Sequence, residues 1–381
     1  MKQSKWQTRT VGLVAIFLVL TCATAAYISS SSRNTPRTAF PAPTTIPLHV
    51  GIQKLAIVAN GALSPSPNGT MVADLTSKAL KLFSLNGQSL ATYTSSTGPY
   101  LNAVWLPDSS GLFVWRSPSN VKDAGAIAIM DTHGHLSPTG LVGIDPASSS
   151  DGKWLAATEP GAAAAANSVA VVPRTGGQPR IIASAATFLG WQAGRIIYYS
   201  PVDSSLYTAN PADGTSVFLT HADVGELRPP SEGPATSPDG KVLVVHADSG
   251  DRTMLLTGAS LLPYPAAAIA ADPLLWVGPH AILGATSDDD MLIVDVITGQ
   301  VTRDTRIVID GNIEVISTNW VAWTDIATDP ETLHLTNLLT GKDVNLGELP
   351  VPGPLLICGS GRFLLYGAEA SYLIDSALLT S

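Results

Sequence analysis

A five-residue turn and the strand after it decide the fold: Ser237-Pro238-Asp239-Gly240-Lys241, followed by Val242-Leu243-Val244-Val245. Pro238 presets the backbone at the start of a tight turn, Asp239 can hydrogen-bond to its own backbone, and Gly240 adopts the positive φ that closes the turn. The β-branched run after it predicts a buried strand. The stretch as a whole therefore predicts a hairpin between two strands.

Variants of this turn recur along almost the whole chain. Their marker positions are spaced by 42, 41, 42, 46, 38, 41 and 42 residues: Gly69, Gly111, Gly152, Gly194, Gly240, Gly278, Asn319 and Gly361. A second series lies out of phase with the first, and each of its turns follows a short apolar run: Asn86-Gly87, His133-Gly134, Thr175-Gly176, Asp213-Gly214, Thr257-Gly258, Thr298-Gly299 and Thr340-Gly341. A period of about 40–45 residues with four strands per unit is typical of a β-propeller.

The two series also predict how the ring closes. The first has eight members and the second has seven, so the last unit lacks its fourth strand. The run Lys54-Leu55-Ala56-Ile57-Val58 precedes the first unit and has no partner there. We therefore predict an all-β fold, a propeller of eight four-stranded blades, with seven blades as the alternative. An N-terminal strand that completes the C-terminal blade would remove the exposed sheet edges.

The SPDGK turn, preceded by an apolar strand and followed by a hydrophobic one, resembles the repeat of TolB-type and WD-like propellers of exported bacterial proteins. Ser237–Lys241 matches this pattern fully, Ser149–Lys153 nearly so, and Trp105–Gly111 with an insertion. The resemblance spans residues 50–381. It implies the propeller fold and often a binding role, without specifying a ligand.

The N-terminal sequence predicts export. Residues 1–10 form a short basic segment, expected to be cytoplasmic, and residues 11–27 are an apolar stretch without charge. We expect 11–27 to be a single hydrophobic helix that remains in the membrane as a signal anchor. Cleavage as a signal peptide after Ala25 is the alternative, and lipoprotein processing at Cys22 is a further one.

The segment after the helix predicts a spacer. Residues 28–47 are rich in Ser, Thr and Pro and contain few large hydrophobic residues, so they are expected to be extended. Residues 48–381 then form the propeller, on the extracytoplasmic side of the cell membrane or secreted if the helix is cleaved. The net charge of −9 argues against a nucleic-acid partner.

Acidic residues in three successive units are the candidate binding residues. They are Asp248, Asp251, Asp288, Asp289, Asp290, Asp325, Asp329 and Glu331. We expect them in the loops opposite the tight turns, where binding sites usually lie. If they converge, they form an acidic arc that suits Ca²⁺ or a basic partner; the alternative is that these aspartates serve the turns of solvated loops.

The sequence contains no catalytic constellation. There is no G-x-S-x-G elbow, and the only close pair of histidines is His133-Gly134-His135, in a tight turn. The main hypothesis is a membrane-tethered binding or protein-interaction module, expected to be a monomer, whose protein or small-molecule ligand binds the loop-rich face. The alternative is a propeller enzyme of the metal-dependent lactonase or glycoside hydrolase type, with acids at the channel mouth.

Two further features are interpreted as structural. The connection from His221 to Pro234 is long and is expected to be a flexible loop between blades. Four tryptophans flank the first-to-second turns of their units and are interpreted as packing residues between blades: Trp105, Trp191, Trp276 and Trp320.

Overall fold

The computed structural model describes residues 44–45, 52–55, 57, 62–76, 78–94, 101–116, 125–161, 167–222, 227–229, 236–247, 252–263, 271–286, 291–304, 313–317, 320–328, 330–338, 340–349, 355–358, 362–366 and 371–375. The chain divides into two compact units, Met1–Pro41 and Ala42–Ser381, and all of these residues belong to the second. The predicted helix 11–27 lies outside them. Within the described ranges, no helix is both long and apolar enough for a membrane span.

The first half of the chain forms antiparallel sheets whose strands follow one another along the sequence. After β1 (Thr44–Thr45) and β2 (Ile52–Leu55), a four-stranded sheet contains β3 (Ala62–Pro65), β4 (Met71–Leu75), β5 (Ala79–Ser84) and β6 (Ser89–Thr94). A seven-stranded sheet contains β7 (Leu101–Trp105), β8 (Gly111–Arg116), β9 (Gly125–Asp131), β10 (Leu136–Ser148), β11 (Trp154–Glu159), β12 (Ser168–Pro173) and β13 (Arg180–Ser184). The next sheet contains β14 (Thr187–Gln192), β15 (Arg195–Ser200), β16 (Ser205–Ala209) and β17 (Ser216–His221).

The second half continues in the same way. One sheet contains β18 (Leu227–Arg228), β19 (Val242–Ala247), β20 (Arg252–Thr257) and β21 (Ser260–Pro263), and the next contains β22 (Ala271–Trp276), β23 (Ala281–Thr286), β24 (Met291–Asp295) and β25 (Val301–Asp304). The last strands are β26 (Ile313–Ser317), β27 (Trp320–Asp325), β28 (Thr332–Asn337), β29 (Asp343–Glu348), β30 (Leu355–Cys358), β31 (Arg362–Tyr366) and β32 (Ser371–Asp375). The described residues thus confirm the predicted all-β fold of antiparallel, mostly four-stranded sheets.

Strand β19 shows why these sheets stack. Leu243 and Val245 pack against residues of the β14–β17 sheet, whereas Val242 and Val244 pack against Trp276 and its neighbours in the β22–β25 sheet. Successive side chains of a strand point to opposite faces, so a run that is apolar throughout is buried on both faces. The core therefore lies between neighbouring sheets, as continuous apolar runs in the sequence require.

The second turn series is confirmed at every position. Each of the seven glycines lies between the third and fourth strands of its four-stranded unit and has a φ between 58° and 88°: Gly87, Gly134, Gly176, Gly214, Gly258, Gly299 and Gly341. Only glycine enters this left-handed region without a steric penalty, which is why the signal was readable from sequence.

Gly111 is an exception in the first series. The turn pattern predicts Gly111 within a turn, but Gly111 begins strand β8, and the turn before it is closed by Ser109, whose φ is +60°. The amide of Ser109 donates to the carbonyl of Leu106 over 2.9 Å. Gly111 meets a different requirement, since a Cβ there would lie 2.3 Å from the carbonyl oxygen of Met130.

The N-terminal strand pairs with the C-terminal one. β2 is antiparallel to β32, with Ile52 opposite Ile374 and Leu55 opposite Ser371. This is the pairing predicted for the N-terminal strand, although the strand begins two residues before the predicted run at Lys54. β1 lies within the predicted spacer 28–47 and pairs in parallel with the outer strand β29, so the predicted end of the spacer at residue 47 is wrong.

The connection from His221 to Pro234 was expected to be a flexible loop, but it contains a strand, β18, which pairs with β19. Of the four tryptophans, Trp105, Trp191 and Trp276 lie at or near the ends of first strands and are 6–7% exposed. Trp320 begins the second strand β27 and is half-buried.

Candidate functional site

Two of the eight predicted acidic residues fall within the described ranges. Asp325 accepts a hydrogen bond from the amide of Ala327 over 2.9 Å, so it serves its own turn, as the alternative interpretation proposed. Glu331 precedes β28 and its carbonyl accepts the Leu349 amide. The other six, Asp248, Asp251, Asp288, Asp289, Asp290 and Asp329, lie outside those ranges, so the acidic arc stays a prediction. In the described part, no three His, Cys, Asp or Glu residues form a group that could hold a metal ion.

A cavity of about 480 Å³ opens among three of the tight turns. We call it the three-turn cavity. It is lined by the end of β10 and the turn after it, by β14 and its turn, and by the segment before β19: Asp145, Ala147, Ser148, Ser150, Phe188, Leu189, Gly190, Trp191, Ala193, Gly194, Pro229, Thr236, Ser237, Pro238, Asp239 and Gly240. It lies among the turns opposite the loops that the sequence analysis favoured.

The wall formed by β14 depends on close approach between two sheets. The register between β14 and β15 shifts between Phe188 and Gly190, and Gly190 has a φ of +149°. A Cβ at Gly190 would lie 2.8 Å from Cδ1 of Leu243, so a larger residue would force the fully buried Leu243 side chain of β19 to move. Two residues with positive φ, Ala193 and Gly194, then form a two-residue hairpin turn.

Hydrogen bonds tie this wall to the sheets on both sides. The Trp191 indole N–H donates to the carbonyl of Ala147 on β10 over 3.1 Å. On the other side, the Gln192 side-chain amide donates to the carbonyl of Lys241 over 2.6 Å, and the Ala193 amide donates to the carbonyl of Gly240 over 2.9 Å. These contacts fix the cavity walls relative to one another, so the site is pre-formed.

The turn quoted at the outset forms one rim. The Ser237 hydroxyl donates to Asp239 Oδ1 over 2.7 Å and accepts the Val242 amide over 2.9 Å. Lys241 Nζ lies 3.1 Å from Asp239 Oδ2. The hydrogen bond from Ser237, ahead of those from Lys241, lowers the pKa of Asp239 to about 2, so this carboxylate is ionised and already partnered.

Asp145 is the unusual residue of the cavity. The register of β10 against β11 shifts between Ile144 and Ala147, and Asp145 sits in this bulge with a φ of +49°. Pro146 follows, and proline favours extended backbone for the residue before it, so this conformation is strained. Asp145 is accessible to solvent, yet enough protein surrounds its carboxyl group for burial to raise its pKa. Within the described part of the chain, its carboxylate has no hydrogen bond or ion pair.

A second acid with a raised pKa lies on another first strand. Glu314 is half-buried in β26, opposite Ala322. Burial raises its pKa to about 7. A carboxyl group that titrates near neutral pH can act as a general acid or base, so Glu314 is a candidate for chemistry that the sequence did not single out.

The β26–β29 sheet contains a buried polar network. Trp323 Nε1 donates to Thr336 Oγ1 over 2.9 Å, and Thr336 Oγ1 donates to Asp343 Oδ1 over 2.5 Å. His334 Nδ1 lies 3.0 Å from Asp343 Oδ2, and His334 Nε2 lies 3.1 Å from Thr332 Oγ1. The order Asp–His–hydroxyl matches a nucleophilic triad. However, the His334 ring stacks on Trp323 with centroids 4.4 Å apart, and its side chain is 8% exposed, so we interpret the network as a link between strands.

Similarity to known proteins is visible in structure and not in sequence. No protein-family model matches the chain. No curated protein matches it in sequence either.

Many solved structures are similar to the chain, including the following three. The C-terminal WD40 domain of Sif2 is 9% identical with a TM-score of 0.54, over 88% of this chain and 99% of that one. The dihydro-heme d1 dehydrogenase NirN is 13% identical with a TM-score of 0.52, over 90% and 80%. A putative TolB from Agrobacterium tumefaciens is 17% identical over 72% and 89%, but its TM-score is 0.34. At these identities the similarity shows the fold alone, and the chain has the β-propeller fold of WD40 domains.

Proposed function

We propose that this protein is a membrane-tethered, extracytoplasmic binding module that holds a partner in the three-turn cavity of an eight-bladed propeller. The tether is the apolar segment 11–27, and residues 28–43 separate it from β1, which joins the β26–β29 sheet.

The count of eight blades rests on strand β10. It pairs with β9 through its first part and with β11 through its last part. The seven-stranded sheet then consists of two blades that share this bent strand. First strands of successive blades contact one another (β10 with β14, β14 with β18, β22 with β26, β26 with β30), and contacts between β30 and β3 support closure of the ring.

The observation that carries the proposed binding role is the pre-formed cavity itself. Its volume of about 480 Å³ lies within the range of sites that hold small ligands or side chains. Its walls come from three sheets joined by hydrogen bonds, so binding does not require a large rearrangement. It also contains a strained residue, Asp145, and backbone strain clusters at functional sites.

A selection with two matched variants tests this proposal. A random peptide library would be selected on the full-length protein in detergent, and the selected peptides titrated against Ser150→Trp and Asp325→Asn. Ser150 is an exposed lining residue, so tryptophan there obstructs the cavity without burying a polar group. We expect at least a tenfold loss of affinity for the first variant and none for the second. Peptides that bind both variants like the wild type would contradict the proposed site.

A second candidate function is an enzyme that uses acids near the propeller axis, and Glu314 is the observation in its favour. Its pKa of about 7 suits a general acid at neutral pH. Glycoside hydrolysis requires a second carboxylate within about 5–10 Å. Turnover of a panel of aryl glycosides and lactones that is abolished by Glu314→Gln would favour the enzyme. If no substrate of the panel is turned over above background, the enzyme hypothesis is wrong.

A further inference from the structure

We propose that the three-turn cavity receives the side chain of a lysine or arginine from a partner polypeptide, with Asp145 as its counter-charge. This inference rests on the proposed binding function and adds the chemistry of the ligand. It follows from the charge, the lining and the backbone geometry of the cavity.

The two acids that line the cavity differ in whether their charge has a partner. Among the described lining residues there are two acids, Asp145 and Asp239. Asp239 is already satisfied by Ser237 and by Lys241, whose Nζ lies 3.1 Å away. The neighbouring turn is arranged in the same way, with Lys153 Nζ 3.0 Å from Asp151 Oδ2. Asp145 is therefore the lining residue whose negative charge has no partner in the described part of the chain.

The environment of Asp145 favours a cation over a neutral ligand. Burial raises the pKa of Asp145, so its ionised form is poorly stabilised by the protein alone. An entering ammonium or guanidinium group would supply a charge-assisted hydrogen bond, which is about twice as strong as a neutral one. A neutral hydrogen-bond donor would stabilise the Asp145 carboxylate less.

The lining suits a long aliphatic side chain that ends in a cation. Phe188, Leu189, Trp191 and Pro229 provide apolar surface. Lysine and arginine stems pack on such surface while their charged ends reach polar groups. The volume exceeds that of one such side chain, which leaves room for the adjoining backbone of a polypeptide.

The backbone holds Asp145 in place. A φ of +49° before a proline is unfavourable, and the bulge in β10 maintains it. Aspartate tolerates this region better than most residues, but so does asparagine. Asp145→Asn therefore keeps the conformation and removes the charge, which makes it a clean test of the carboxylate.

The experiment is calorimetric titration of the full-length protein in detergent with three probes. They are acetyl-Gly-Arg-Gly amide, the same peptide with neutral citrulline in place of arginine, and free n-butylguanidinium. We expect the arginine peptide to bind more tightly than the citrulline peptide and at least as tightly as the free cation. Asp145→Asn should lower the affinity for the arginine peptide by about tenfold to a hundredfold, and the melting temperature of this variant should be unchanged or raised. Ser150→Trp should lower the affinity for all three probes.

Each other outcome overturns the inference. Equal binding of arginine and citrulline peptides, or no effect of Asp145→Asn, would show that the cavity does not recognise a cation. If n-butylguanidinium binds and the arginine peptide does not, the partner is not a polypeptide. If no probe binds while library-selected peptides still lose affinity with Ser150→Trp, the inference fails and the proposed binding site stands. If the selected peptides also ignore Ser150→Trp, both fail.

Discussion

Glu314→Gln tests whether burial on β26 raises an acid's pKa to about 7. Glutamine has nearly the same shape as a protonated glutamate, so the substitution removes the ionisation and little else. In the unfolded chain the carboxyl group releases its proton near 4.5, and in the folded chain near 7. Between these values the folded state binds more protons, so the free energy of unfolding of the wild type falls as pH rises from about 4.5 to about 7.

The size of the effect follows from the same two values. Each pKa unit corresponds to about 1.4 kcal/mol, so the wild type should lose about 3 kcal/mol across this interval. Partial exposure of the side chain makes this figure an upper bound. Glu314→Gln should match the wild type near pH 4 and be more stable by up to that amount above pH 7.

Urea unfolding followed by tryptophan fluorescence, from pH 4 to pH 8, measures this difference. Glu331→Gln removes a charge from the same part of the chain and controls for the change in net charge. A difference between Glu314→Gln and the wild type that stays constant with pH would refute the reasoning. So would a Glu314 carboxyl group that titrates near 4.5 by carbon-13 NMR.

Three further predictions concern the walls and rim of the cavity. Ser237→Ala should raise the pKa of Asp239 from about 2 toward its ordinary value of 3.8, measured by NMR titration, because it removes the largest hydrogen-bonding contribution; an unchanged pKa would contradict this. Trp191→Phe should lower the free energy of unfolding by about 1–3 kcal/mol in urea, since the carbonyl on β10 loses its donor; no loss would show that water replaces the indole. Gly190→Ala should destabilise by more than Gly194→Ala, because only at Gly190 would a Cβ clash, at 2.8 Å, with a leucine of β19; equal losses would leave backbone conformation as the sole cause.

The architecture was predictable where a local requirement forces a residue type. The second turn series could be read because a positive φ selects glycine, and Gly87 and Gly341 mark its two ends. Closure followed from a missing strand at one end and a spare strand at the other. Gly111 was misassigned because serine can also take a positive φ, as Ser109 does, and the sequence does not reveal which residue of a turn has done so.

The candidate site was not predictable in the same way. Its lining comes from three units, and in each unit the residues also serve a turn or a bulge. A proline after Asp145 in an apolar stretch was a signal for a bulge that the sequence analysis did not use. The raised pKa values of Asp145 and Glu314 arise from burial, which depends on how sheets pack and cannot be read from either residue's neighbours in sequence.

A crystal structure of the full-length protein with a library-selected peptide would show where this propeller holds its partner. We expect peptide density in the three-turn cavity between Asp145 and Pro238, with a basic side chain at the Asp145 carboxylate. Peptide density on the loop face beside Asp325, with the cavity empty, would contradict it.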